Sequence, residues 1–162
     1  MIPARIAPVT EEDLSDLLPL MRGYCDFYRV APTDDALVSL ARSLLADAGR
    51  EGLQLLARDL DRRALGFATI YWGWSTLSTS SIAVMNDLFV VPDARGGGVG
   101  EALIEACRSW AHRHGATRLT WQTAKDNERA QRLYDRIGSK RSEWIDYSIA
   151  TSRNDLRPGP TP

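Results

Sequence analysis

Residues 82–91 (IAVMNDLFVV) run straight into Pro92, then into the glycine-rich loop of residues 95–100 (RGGGVG), and then into a helix. No other part of the chain constrains the fold as tightly. A run that is apolar almost without interruption predicts a strand covered on both faces and placed centrally in a sheet. Pro92 ends it, having no N–H to offer a ladder. Beyond the loop, Val99, Ala102, Leu103, Ala106, Cys107, Trp110 and Ala111 fall at i, i+3, i+4 and i+7 spacings. That pattern predicts an amphipathic helix over residues 99–114, closed by Gly115.

The other elements arrange themselves around this unit. Residues 5–9 suit a first strand, and Thr10 with Glu11, Glu12 and Asp13 reads as a helix start. Leu14, Leu17, Leu18 and Met21 continue it as an apolar stripe, which Pro19 is expected to kink or shorten. A second helix is expected over residues 33–48, with Leu37, Leu40, Ala41, Leu44 and Leu45 inward and Gly49 at its end. Residues 53–58 and 64–74, joined by the charged turn at 59–63, predict a hairpin. A strand at 119–123, a helix at 127–137 and one or two closing strands at 141–150 complete the order. The expected fold is mixed α/β: one twisted, mostly antiparallel sheet with helices on both faces. At 162 residues the chain fits a single domain, taken as residues 1–151. The polar, proline-rich residues 152–162 are read as a disordered tail.

Charge narrows the function classes. Lys and Arg number 20 against 21 Asp and Glu, so no general basic surface recommends nucleic acid or an anionic membrane. No run of about 20 apolar residues is present to span a bilayer, and the first residues do not resemble a signal peptide. Cys25 and Cys107 have no metal spacing, and Cys107 falls on an apolar helical face. His112 and His114, two apart on a helix, do not share a face, so they read as solvated and no metal is expected. A cytoplasmic location is the natural reading of the cysteines.

The loop is where chemistry enters. Strand, glycine turn and helix follow in immediate succession, and the missing Cβ atoms let a ligand approach the backbone. A helix start offers unpaired N–H groups and a partial positive charge, both suited to a pyrophosphate. Arg95 adds a charged fork at the rim. Two better-known phosphate loops do not fit: no Lys-Ser or Lys-Thr follows Gly100, and the loop lies too late for a dinucleotide fold.

DLFVVPDARGGGVGEALIEAC resembles the signature of the GNAT superfamily of N-acetyltransferases, with Arg95, Gly98 and Gly100 at its three defined positions. The resemblance continues through LTWQTAKDNERAQRLYDRIG and spans residues 86–138 in the family order. It implies acetyl transfer from acetyl-CoA, as co-substrate, to an amine in a ternary complex. Pantetheine would lie in a gap between residues 87–91 and 119–123, bonded by the backbone of Leu88, Phe89 and Val90. Backbone N–H groups of Gly96, Gly97, Gly98, Val99 and Gly100 would hold the pyrophosphate, and Asn127 would contact the coenzyme. Tyr134 matches the family's general acid for the departing thiolate, although its helical face is otherwise apolar.

An ammonium acceptor must lose a proton before it attacks. Asp87, a carboxylate set in the apolar strand, is the best candidate base. NDLFV also resembles polyamine acetyltransferases, whose two acidic residues would fall at Asn86 and Asp87; the chain departs from them at Asn86, which is no base. DLFV and RAQRLY resemble yeast-type histone and D-amino-acid acetyltransferases. Aromatic residues cluster at Tyr24, Phe27 and Tyr28 and again at Tyr71, Trp72 and Trp74, and of these Tyr24, Tyr28, Trp72 and Trp74 are taken as candidate faces for a cationic amine. The expected acceptor is a small-molecule or amino-acid-like amine. A protein- or histone-directed transferase and a non-catalytic acetyl-CoA sensor stand as alternatives, and a homodimer is left open.

Overall fold

The computed structural model describes residues 3–149 and residue 151. The expected tail at 152–162 lies outside the described residues. The chain separates into two compact units, residues 1–122 and residues 123–162.

The first unit holds a five-stranded sheet in the order β1-β2-β3-β4-β5: Arg5–Pro8, Gly52–Arg58, Ala64–Ser75, Ser80–Val90 and Leu119–Thr120. The first four strands pair antiparallel, and β5 runs parallel to β4 over two residue pairs. Helices α1 (Leu14–Phe27), α2 (Asp34–Ala46) and α3 (Val99–Arg113) cover it. One core joins α1 and α2 to the sheet through Leu17, Leu20, Met21, Cys25, Leu37, Ala41, Leu56, Phe67 and Phe89. Alternation sends Leu55, Ala68 and Ile70 to the opposite face, where α3 brings its buried stripe of Val99, Leu103, Ile104, Cys107 and Ala111. Burying each large aliphatic side chain on that stripe is worth about 1.5–3 kcal/mol.

Local chemistry explains most of the element ends. Asp13 accepts hydrogen bonds from the Thr10 N–H and hydroxyl at 2.8 Å each, closing a short 3-10 turn before α1. Arg58, at the end of β2, bonds Asp13 at 2.7 Å and Asp16 at 2.8 Å and ties the start of α1 to the sheet. Thr33 caps α2 by accepting from Ala36 N–H at 3.2 Å. In the β2–β3 turn the Asp59 carboxylate accepts from the Arg63 N–H at 2.8 Å.

Four expectations are corrected. Pro19 neither shortens nor ends α1, which runs on to Phe27. The exposed proline ring faces solvent while Leu17, Leu20 and Met21 hold the helix down on either side. α2 stops at Ala46, with Asp47 rather than Gly49 as its C-terminal cap. β4 is not the middle strand and its burial alternates, because its β5 edge is paired only at Ala83 and Val84. Residues 141–149 form no strand: Trp144, Ile145, Tyr147 and Ile149 are exposed. An alternating apolar pattern becomes a strand only where a neighbouring ladder accepts it, and this segment has none among the described residues.

Close approach of β3 to β4 depends on Gly66. A Cβ there would meet the Phe89 carbonyl oxygen at 2.4 Å, and a backbone atom cannot swing aside. Gly66→Ala should therefore cost about 1–3 kcal/mol, the usual penalty for overpacking. A lower urea midpoint at unchanged slope is the expected readout; an unaltered midpoint would mean the strands separate without cost.

Candidate active site

Simple alternation along β4 would put Asp87 on the same face as Met85. The register prevents it. Ile70 pairs with Met85 and Thr69 with Asp87, so Asn86 is an extra residue, a β-bulge. Paired residues share a face, so Met85 stays with Ile70 while Asp87 joins Thr69 beneath α1. Gln54 of β2 pairs in turn with Thr69. The result is a row, Gln54–Thr69–Asp87, running across three strands beside the apolar row Leu56–Phe67–Phe89. Exposures of 4%, 0% and 8% make these the buried polar side chains among the described residues.

The row is hydrogen-bonded in one direction. Gln54 Nε2 donates to Thr69 Oγ1 at 3.2 Å, and Asn86 Nδ2 donates to Asp87 Oδ1 at 2.9 Å. Thr69, the cross-strand partner of Asp87, and Tyr24 stand beside the carboxylate and favour its charged form. The Tyr24 hydroxyl also reaches the Asn86 carbonyl oxygen at 3.3 Å. Burial pushes the Asp87 carboxyl above its ordinary range, and the three neutral donors pull it partly back. Burial, followed by the Asp87 charge, holds the Tyr24 phenol well above its usual value. Tyr28 and Tyr71 are raised by burial as well, and each feels the same charge. Tyr24 and Tyr28 meet edge to face with ring centroids 5.0 Å apart. Gln54 Oε1 has no partner, and an orphaned buried acceptor costs about 1–3 kcal/mol.

Tyr24 and Tyr28 are thus brought to Asp87, whereas Trp72 and Trp74 are not. Tyr71 takes the inward face, so Trp72 turns to the other side and stacks on His114 at 3.9 Å between centroids. Its indole N–H donates to the Ala48 carbonyl at 2.8 Å. Trp74 is 85% exposed. His114 is not simply solvated either, since Nε2 sits 2.7 Å from the Gly49 carbonyl oxygen. Sequence reasoning missed Gln54 and Thr69, and of the aromatic cluster at 71–74 it chose Trp72 and Trp74 over Tyr71. Gln54 in LQLL and Thr69 in FATI carried the signal that singled out Asp87: a polar side chain inside an apolar strand.

The coenzyme candidates lie along the other edge of β4. Val91 N–H donates to the Leu65 carbonyl at 2.9 Å. In an antiparallel ladder the residues then alternate, so Leu88 and Val90 turn their own backbone groups away from β3 while Phe89 turns toward it. Past Val84 this edge has no strand partner among the described residues. Arg95 donates from Nε to the Val90 carbonyl at 2.8 Å, and its guanidinium lies 5.7 Å from the Phe89 ring centroid. One of the Arg95 donors is therefore committed to anchoring the loop. Gly96 and Gly98 have φ of 85° and 91°, a region costly for other residues. The α3 ladder opens with Ala102 N–H bonded to the Gly98 carbonyl at 3.0 Å, so the Val99 and Gly100 N–H groups precede it. Gly97 N–H is already taken by the Ala94 carbonyl at 3.3 Å.

In the second unit, α4 spans Glu128–Arg136. Asn127 caps it, accepting from Ala130 N–H at 3.2 Å, and Gln131 Nε2 donates to the Lys125 carbonyl at 2.8 Å. Tyr134 is half-buried with Ala130, Leu133 and Ile137. Its carbonyl accepts from the Ser139 N–H at 3.1 Å and hydroxyl at 2.8 Å.

Comparison with known proteins agrees with this architecture. The chain matches the acetyltransferase (GNAT) family over residues 17–138. It is 34% identical to an uncharacterized N-acetyltransferase of Bacillus subtilis, covering 78% of this chain and 83% of that one. It is 28% identical to an aminoglycoside N(6')-acetyltransferase type 1 of Acinetobacter baumannii, covering 88% and 94%. The solved structure of an aminoglycoside N-acetyltransferase in complex with CoA shares its fold, with a TM-score of 0.81 over 94% of this chain and 97% of that one at 20% identity. The chain belongs to the acetyltransferase (GNAT) family and is an N-acetyltransferase.

Proposed function

We infer that the chain moves an acetyl group from acetyl-CoA to the primary amine of a small or amino-acid-like molecule, by direct attack in a ternary complex. The observation that carries this reading is Asp87, a buried carboxylate faced by Tyr24, Tyr28 and Tyr71 on the strand whose other edge has no strand partner past Val84 among the described residues. One anion among aromatic rings suits one ammonium group, whereas a polycation would want several acidic side chains. Similarity to an aminoglycoside acetyltransferase supports an amine acceptor, and the neighbour that binds CoA supports the donor.

The residues present fit the coenzyme. Leu88 offers its backbone N–H and carbonyl and Val90 its N–H to the pantetheine amides on the edge that has no strand partner past Val84 among the described residues, and Val99 and Gly100 offer N–H groups at a helix start for the pyrophosphate. Bound acetyl-CoA supplies an activated thioester carbon. Asp87 takes the proton that the ammonium must lose before its nitrogen carries a lone pair. Attack makes the C–N bond and breaks the C–S bond. Tyr134 gives its hydroxyl proton to the departing sulfur and recovers one from the second N–H of the acceptor.

Tyr134→Phe keeps the shape of the helix face and removes that proton. Turnover should fall roughly 10²-fold while CoA still raises the melting temperature as in the wild type. Normal turnover would make Tyr134 a packing residue only.

Asp87→Asn should lose activity and gain stability together. Burial raises the Asp87 carboxyl, so the folded state favours the protonated form. That preference is fully present at pH below the unfolded value and is lost as pH rises through the folded one. Asparagine mimics the protonated form, so the variant should outlast the wild type at neutral pH and lose this advantage in acid. Thiol release with amino acids, polyamines, aralkylamines, aminoglycosides and histone peptides identifies the acceptor. Turnover confined to histone peptides would contradict the small-amine reading, and turnover of none would favour a sensor.

A further inference from the structure

The reading above uses Asp87 but leaves two buried polar residues beside it without a role. Thr69 is wholly buried and Gln54 nearly so, at 0% and 4% exposure. Both stand where the neighbouring row carries Leu56 and Phe67. Apolar residues would fill these positions without an orphaned carbonyl, yet Gln54 Oε1 is left with no partner. The orientation of the row follows from proton counting. A threonine hydroxyl has one proton and can both give and accept. Gln54 turns its NH₂ to Thr69 Oγ1 at 3.2 Å, which occupies the oxygen as acceptor and leaves the hydroxyl proton for Asp87, its partner across the strands on the same face. Were the Gln54 amide reversed, its oxygen would compete for that proton and Asp87 would lose a donor.

We propose that Thr69 is a positioning residue for the Asp87 carboxylate, and that Gln54 fixes the direction in which the Thr69 hydroxyl donates. The row Gln54–Thr69–Asp87 aims the Thr69 hydroxyl at the carboxylate and so supports its charged, proton-accepting form under α1. This rests on the reading of Asp87 as the proton acceptor. The titratable groups facing Asp87 are Tyr24, Tyr28 and Cys25 of α1 and Tyr71 of β3. Burial raises all four above their ordinary values, so they stay neutral on the acid side of neutrality. The acid limb of the rate profile is thereby left to Asp87.

The test is the pH dependence of kcat/KM for an accepted amine, measured for the wild type, Asp87→Asn, Thr69→Val, Thr69→Ser and Gln54→Leu. Thr69→Val keeps the shape of the side chain and removes the donor, so the acid limb should move to higher pH by about one unit. The alkaline plateau and the KM for acetyl-CoA should hold. Thr69→Ser should restore the wild-type limb. Gln54→Leu should move the limb in the same direction by less, and should raise the melting temperature, since it removes the orphaned oxygen; it serves also if Thr69→Val folds poorly. A purely structural role would lower activity at every pH without moving the limb. If Asp87→Asn abolishes the limb while both Thr69→Val and Gln54→Leu leave it in place, the positioning role is overturned and Asp87 remains the acceptor. If Asp87→Asn keeps the wild-type limb, Asp87 is not the acceptor and the row has no part in catalysis.

Discussion

The bulge at Asn86 is the feature on which the site depends. One extra residue in β4 carries every following side chain to the opposite face of the sheet. Upstream of it, Ala83 and Met85 are buried on the face of Ile70; downstream, Asp87 and Phe89 are buried under α1. Without the bulge, Asp87 would fall on the face that α3 covers, away from Tyr24. The same irregularity leaves the Asn86 carbonyl and amide available, and Tyr24 and Asp87 use them.

The polar row that the bulge completes works against stability. An apolar core tolerates a carboxylate only when its oxygens are bonded, and here the Asn86 amide donates to Asp87 at 2.9 Å with the Thr69 and Tyr24 hydroxyls beside it. One acceptor, Gln54 Oε1, remains unmet. The neighbouring row of Leu56, Phe67 and Phe89 shows what the sheet does where only packing is needed. Arg95 then lies over Phe89 and bonds Val90, so the apolar row underpins the glycine loop while the polar row serves the chemistry. Both rows end on one face of β4, at Asp87 and Phe89, two residues apart.

Much of this was legible in the sequence. The helical stripe from Val99 to Ala111, the hairpin about Asp59 and the helix start at Thr10 follow from spacing and side-chain chemistry, and the structure has them. Asp87 stood out as a charge in an apolar run. Its cross-strand neighbours Thr69 and Gln54 did not, because the bulge at Asn86 left no mark in the sequence and cross-strand partners are set by register. Trp72 and Tyr71 are adjacent in the chain, and only the register decides which of them meets Asp87. Pro19 shows the reverse case, where packing on both sides of α1 overrides a local break. Residues 141–149 show an apolar alternation that no ladder takes up.

The account stands on Asp87 being a dry carboxylate that meets the ammonium group of the acceptor. Carboxyl-carbon NMR of the wild type, with Asp87→Asn to assign the signal, measures that directly. In the free protein the Asp87 carboxyl should titrate above the ordinary carboxylate range. Adding an amine that the enzyme acetylates should move the titration down, because an adjacent positive charge favours the ionised form. A carboxyl that titrates in the ordinary range and does not respond to any accepted amine would contradict the account.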